Sequence, residues 1–174
     1  MARVRGFHVV LMLLAAGLAS FGVPAARKGT PGPPGSGRTE VPLRLHPTGL
    51  LTLEARVNGI ATQLVVDTGA GSTVFDEAGA TRLALRMSTD ALEGGASGAG
   101  ASGLAIRSAS GNRVQLADAS WDAATAVVMD LSHVTRVFAE HPDAVAISGV
   151  LGSDFLAARN AVIDYRHRVL RFDR

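Results

Sequence analysis

The sequence predicts a mainly β fold carrying one or two short helices, and three observations lead there. From Val41 onward the apolar positions recur with a period of two. Val41, Leu43 and Leu45 alternate with polar neighbours; Leu51, Leu53, Ala55 and Val57 do so again, and Ile60, Thr62, Leu64 and Val66 follow. A period of two puts every second side chain on one face of a strand. Asn58-Gly59 stands between the last two runs, the residue pair that a type I′ turn requires, so Leu51 to Val66 is expected to form a β-hairpin. Third, 20 glycines punctuate a repeated strand–turn rhythm, and only 5% of residues are aromatic, so the core must be built from Val, Leu, Ile and Ala. With 47% apolar residues in a chain of 174, one domain has material enough for such a core.

In order along the chain, residues 1–26 read as a secretory signal. Arg3 and Arg5 form the positive start and Val9 to Leu18 the apolar run. Gly17-Leu18-Ala19 or Val23-Pro24-Ala25 offers small residues for cleavage. The apolar run is short against the ~20 residues of a membrane span; left uncleaved, the segment would serve as an N-terminal anchor, the one route by which a membrane becomes a partner. Either way the remainder is expected outside the cytoplasm, periplasmic or secreted. Residues 27–40 (RKGTPGPPGSGRTE) are dominated by Gly, Pro, Ser and Thr and read as a disordered or extended tether. The domain proper is expected over residues 41–174.

Beyond the hairpin, a second apolar strand runs to Phe75, and Asp76 is placed to cap a short helix over Glu77 to Leu83. Residues 90–103 (DALEGGASGAGASG) form a segment of small residues. Val114 to Leu116 and Thr125 to Met129 read as strands, and Asp118 to Asp122 as a solvated loop. Val134, Val137 and Phe138 share one face of a helix ending before Pro142. Val145 to Leu151 reads as a buried strand, Ser153 or Asp154 as the start of a helix through Ala158. Ala161 to Tyr165 and Val169 to Phe172 read as a closing hairpin around Arg166-His167-Arg168.

The chain is organised around Leu64-Val65-Val66-Asp67-Thr68-Gly69-Ala70-Gly71-Ser72-Thr73-Val74-Phe75. One apolar strand runs into a carboxylate on a glycine turn, and a second leaves it. Asp and Gly are depleted in strands and favoured in turns, so the chain bends there and holds an acid at the rim of an apolar scaffold. Read with Ile147-Ser148-Gly149-Val150-Leu151-Gly152-Ser153-Asp154-Phe155-Leu156 and Ala161-Val162-Ile163-Asp164-Tyr165, this stretch resembles the retropepsin-like aspartic proteases, most nearly their single-domain, exported bacterial members. Asp-Thr-Gly alone is a weak signal. Two apolar residues before it, Ala after it and the late Val-Leu-Gly make the combination specific.

The resemblance implies a closed β-barrel of the acid protease type and a peptide or protein substrate. Asp67 is then the catalytic carboxylate, and Thr68, Gly69 and Ala70 support it. It also implies that the Gly69 amide reaches the carboxylates, that the Thr68 hydroxyl bonds across a dimer, and that Val150-Leu151-Gly152 holds the turn from behind. Metal-free hydrolysis without a covalent intermediate needs a base for water and an acid for the carbonyl. Two carboxylates sharing one proton supply both. Only one Asp-Thr-Gly is present, so the economical solution is a homodimer in which Asp67 meets its own copy across a two-fold axis. The resemblance places a hairpin flap closing over the substrate in or beside residues 90–103, a segment whose residues read equally well as a disordered surface loop. Gly71 stands where many relatives place Ser, Thr or Asn, and Ala70 has no hydroxyl to bond the carboxylate.

Other chemistries find little support. Once Arg3 and Arg5 are set aside with the leader, the formal charge of +2 falls to balance, and the basic residues are scattered, so no nucleic-acid partner is expected. The absence of cysteine removes disulfides, a thiol nucleophile and Cys-based zinc sites. Gly152-Ser153-Asp154 is not a nucleophile elbow, and His133 and His141 do not form a metal motif. Gly98-Ala99-Gly100-Ala101-Ser102-Gly103 spells the dinucleotide pattern, yet no apolar strand precedes it and an extended segment follows. No cofactor and no metal are expected. The alternative function is a catalytically idle domain of the same fold that binds a peptide or a protein partner along an exposed edge.

Overall fold

The computed structural model describes residues 37–88, 106–123, 126–140 and 146–174. The leader, the tether up to residue 36, residues 90–103 with the expected flap, and His141 and Pro142 lie outside the described residues. Strands β1 (Arg38–Pro42) and β2 (Arg44–Leu45) lead into the hairpin of β3 (Leu51–Val57) and β4 (Ile60–Val66). After the Asp67 turn come β5 (Val74–Asp76) and helix α1 (Glu77–Arg82). Strands β6 (Arg107–Ala109), β7 (Asn112–Leu116), β8 (Ala119–Ala123) and β9 (Ala126–Met129) precede helix α2 (Ser132–Ala139). The chain ends with β10 (Ile147–Leu151), α3 (Ser153–Ala158), β11 (Val162–Asp164) and β12 (Val169–Asp173).

The expected mainly β architecture is present. One sheet runs in the order β6-β9-β5-β10-β4-β3-β7-β8, with β2 added on β3; a smaller sheet runs β1-β12-β11. The β3–β4 hairpin turns where Asn58-Gly59 predicts it, with φ of 51° and 83° at the two central residues and Val57 opposite Ile60. The left-handed values at both positions are what a type I′ turn demands.

Strand β4 is buried on both sides. Leu64 joins a core with Val41, Leu53, Val57, Phe75, Leu116 and Phe172, while its neighbour Val65 packs on the other face with Val74, Val127, Val134, Phe138 and Val150. The second layer is α2: Val134 and Phe138, one turn apart on the same side, close over the sheet. The sheet is thus sandwiched at its centre, and the centre is where the Asp67 turn leaves it.

Four expectations need correction. The domain starts before residue 41, because Arg38–Glu40, placed in the tether, are strand. Thr39 is 1% exposed and lies opposite Phe172 on β12. Leu45 does not turn inward; it sits half-exposed on β2, which among the described residues pairs with β3 alone. Asp76 stands at the start of α1 but makes no side-chain cap; buried, it instead accepts the Leu131 N–H at 2.8 Å and ties β5 to the start of α2. The solvated loop at Asp118–Asp122 is a hairpin, β7–β8, turning at Ala117 (φ 49°) and Asp118. Its reason is Trp121, stacked 4.4 Å from the Phe155 ring and 6.5 Å from Phe172, which gives a polar-looking strand an apolar anchor.

Candidate active site

Asp67 follows the last residue of β4, and its position is set by β10. Strand β10 lies between the two strands that flank the turn, parallel to β4 (Val150 opposite Val65) and antiparallel to β5 (Val150 opposite Val74). The turn therefore straddles the carboxyl end of β10, and the Asp67 N–H donates to the Leu151 carbonyl at 3.2 Å. This crossing needs glycine at two points. A Cβ on Gly152 would lie 2.4 Å from the Ser72 carbonyl carbon and oxygen, and one on Gly149 2.1 Å from the Val74 oxygen.

Within the turn, the Gly69 N–H donates to Asp67 Oδ1 at 2.8 Å, and the Ala70 N–H to the Asp67 carbonyl at 3.3 Å. The carboxylate is half-buried, Thr68 and Gly69 are exposed, and Ala70 is 2% exposed in the α2-side core. Ala70 anchors the turn by its methyl group rather than by a hydroxyl. Among the described residues the Thr68 hydroxyl finds no partner within the chain.

The far limb of the turn is held by residues that sequence reasoning gave no part in the site. The Ala70 carbonyl accepts the Ser153 N–H at 2.8 Å and the Ser153 hydroxyl at 2.9 Å. The Asp154 carboxylate accepts the Thr73 N–H at 2.9 Å and the Thr73 hydroxyl at 2.8 Å, as well as the Phe155 N–H at 2.8 Å. The Thr73 hydroxyl in turn accepts the Gly152 N–H at 3.2 Å. The expected cap by Ser153 or Asp154 is not formed: α3 starts at Ser153 with Gly152 at its N-cap and no side-chain cap, and two of the three bonds that Asp154 accepts come from the turn. The available signal was the glycine ending the apolar run of β10, which marks a close backbone crossing.

Asp164 lies away from this arrangement. It is bonded to the His167 N–H and ring and to Arg171 in the closing hairpin. Asp118 and Asp122 pair with Arg174 and Arg113. Among the described residues no group of three or more His, Asp or Glu side chains is placed to hold a metal ion. Asp67 is the acid that the fold presents on a tight turn at the end of a buried strand.

The sequence profile of the aspartyl protease family matches residues 53–155, more than half of the chain. The chain belongs to that family. Among solved structures it is similar to a retropepsin-like aspartic protease from Rickettsia conorii, with 17% identity over 79% of this chain and 90% of that one (TM-score 0.47). It is also similar to the retroviral protease-like domain of Ddi1 from Leishmania major, with 17% identity over 68% and 79% (TM-score 0.47). EIAV protease bound to an inhibitor is a third, with 20% identity over 62% and 85% (TM-score 0.42). No curated protein sequence matches significantly.

Proposed function

We propose that the chain is an aspartic endopeptidase acting as a homodimer, with Asp67 of each copy forming the catalytic dyad. The observation that carries this reading is the Asp67 turn. A half-buried carboxylate has one oxygen fixed by the Gly69 amide, beside an exposed Thr68 whose hydroxyl finds no partner among the described residues. A two-fold axis at the turn would bring two such carboxylates together, and close carboxylates share a proton rather than both ionise.

In the dyad the ionised member takes a proton from water as the water oxygen attacks the substrate carbonyl carbon. The protonated member gives its proton to the carbonyl oxygen. The tetrahedral intermediate collapses with proton transfer to the amide nitrogen, and the C–N bond breaks. The Gly69 amide keeps one Asp67 oxygen in place through both steps. The Thr68 hydroxyl is free to bond to the second copy and lock the two turns. Residues 1–26 serve as the secretory leader in this reading, so the enzyme works outside the cytoplasm.

The test is cleavage of an unfolded protein by the full chain and by Asp67→Asn. Cleavage by the wild type alone supports the proposal. Equal cleavage by both overturns it and favours the peptide-binding alternative; a wild type that stays monomeric while cleaving overturns the dimer dyad.

A further inference from the structure

We infer that Asp154 is a positioning residue for Asp67, acting through Thr73 and the far limb of the turn; the inference rests on the proteolytic reading above. Asp154 is exposed, and among the described residues it pairs with no cationic side chain. It accepts three donors, two from the turn and one from α3: the Thr73 N–H, the Thr73 hydroxyl and the Phe155 N–H. Hydrogen bonds to an ionised acceptor are the strong class, and this bidentate grip fixes the Thr73 backbone and rotamer together.

Thr73 is the right point to hold. Its hydroxyl accepts the Gly152 N–H and its carbonyl accepts the Val127 N–H at 3.1 Å, so it joins the ends of β9 and β10. The adjacent Ser153 holds the Ala70 carbonyl, and the Ala70 N–H closes back onto Asp67. The Gly69 amide that orients the Asp67 carboxylate therefore sits in a loop pinned at Ala70 and at Thr73 by consecutive residues, Ser153 and Asp154. Gly71 between the pins has open space around it and is exposed, and beyond the Gly152 backbone lying against Ser72 the middle of the loop depends on these bonds for its position. A dyad needs its two carboxylates at hydrogen-bond distance, and a loosened turn spreads their geometry.

Asp154→Ala, Asp154→Asn and Thr73→Val test the inference by two independent readouts. Hydrogen exchange of the segment 67–76 is expected to speed up about tenfold in Asp154→Ala and in Thr73→Val, with the β3–β4 hairpin unchanged. With dimer saturated, kcat is expected to fall about tenfold or more at a KM within about twofold, because the loss lies in the placement of reacting groups. Asp154→Asn, which keeps an acceptor for the Thr73 amide, is expected to recover most of both. Unchanged exchange in the turn overturns the inference whether or not the protein is a protease. So does a kcat per folded dimer that stays at the wild-type level in Asp154→Ala. A wild type without proteolytic activity but with loosened turns in the variants defeats the proteolytic reading and leaves the positioning of Asp67 standing.

Discussion

Gly149 and Val74 lie in contact backbone to backbone: a Cβ on Gly149 would stand 2.1 Å from the Val74 carbonyl oxygen and 2.9 Å from the Phe75 Cα. The contact exists because β10 is threaded between the strands that enter and leave the Asp67 turn. Gly149→Ala is therefore expected to destabilise the fold by about 3 kcal/mol or more, since the obstacle is main chain and cannot rotate aside. Gly71, whose surroundings are open and whose φ is not left-handed, provides the contrast. Gly71→Ala should stay within about 0.5 kcal/mol of wild type. Urea unfolding midpoints of the two variants check both expectations.

Asn58 sits in a turn where glycine is ordinarily a good substitute, yet its side chain is occupied. Nδ2 donates toward the Leu83 and Ala84 carbonyls at 3.2 and 3.1 Å and to Asn112 Oδ1 at 3.0 Å, and Oδ1 accepts the Arg113 N–H at 3.1 Å. Asn58→Gly keeps the backbone conformation and strips these bonds, taking a donor from the carbonyl of buried Leu83 and leaving Asn112 Oδ1, also on a buried residue, with the Arg86 N–H. A loss of about 2 kcal/mol is expected in chemical denaturation. A variant as stable as wild type would mean that water replaces the side chain without cost.

The difference between what the sequence showed and what it hid follows from which interactions are local. The β3–β4 hairpin, the acid on its glycine turn and the short helices were legible because each is set by residues within a few positions. The Asp67 turn also carried a family resemblance. The threading of β10 between β4 and β5 was not legible from periodicity, because a strand buried on both faces loses the alternation that marks a strand. Asp154 looked like a helix start because its partner Thr73 lies 81 residues away. Strand β8 looked like a solvated loop because Ser120 and Asp122 flank Trp121, and only the fold reveals Phe155 and Phe172 waiting for that ring.

Trp121 joins the edge of the large sheet to α3 and β12. Its ring stacks on Phe155, meets Phe172 edge-on, and carries the Arg159 guanidinium 5.8 Å from its centre on the outside. Trp121→Ala is expected to cost about 3 kcal/mol through lost aromatic area and the cavity left against Phe155. Trp121→Phe should recover roughly half, because the stacking survives and the larger ring does not. Thermal unfolding of the pair measures it. Equal stability of wild type and Trp121→Ala would show that β8 is dispensable to the core.

The closing hairpin sets an acid-stability limb. Asp164 is held well below the usual carboxylate range, chiefly by the His167 N–H, then by the His167 ring and by Arg171, against a small opposing effect of desolvation. The groups facing it are His167 at 2.8 Å and Arg171 at 2.9 Å, with Glu40 competing for the same guanidinium at 2.6 Å. A carboxylate whose folded pKa is depressed binds its proton more readily in the unfolded chain. Its stabilising contribution is therefore complete above the ordinary carboxylate value, and it is lost progressively as pH falls from there toward the depressed folded value. Near neutral pH, Asp164→Asn should lower the urea midpoint; on acidification below about pH 5 the gap to wild type should close. The side chains are partly exposed, so added salt should shrink the Arg171 share of the gap while leaving the His167 N–H bond, which is local, in place. Parallel wild-type and Asp164→Asn curves from neutral to acid pH would mean that the hairpin holds this carboxylate no better than the unfolded chain does.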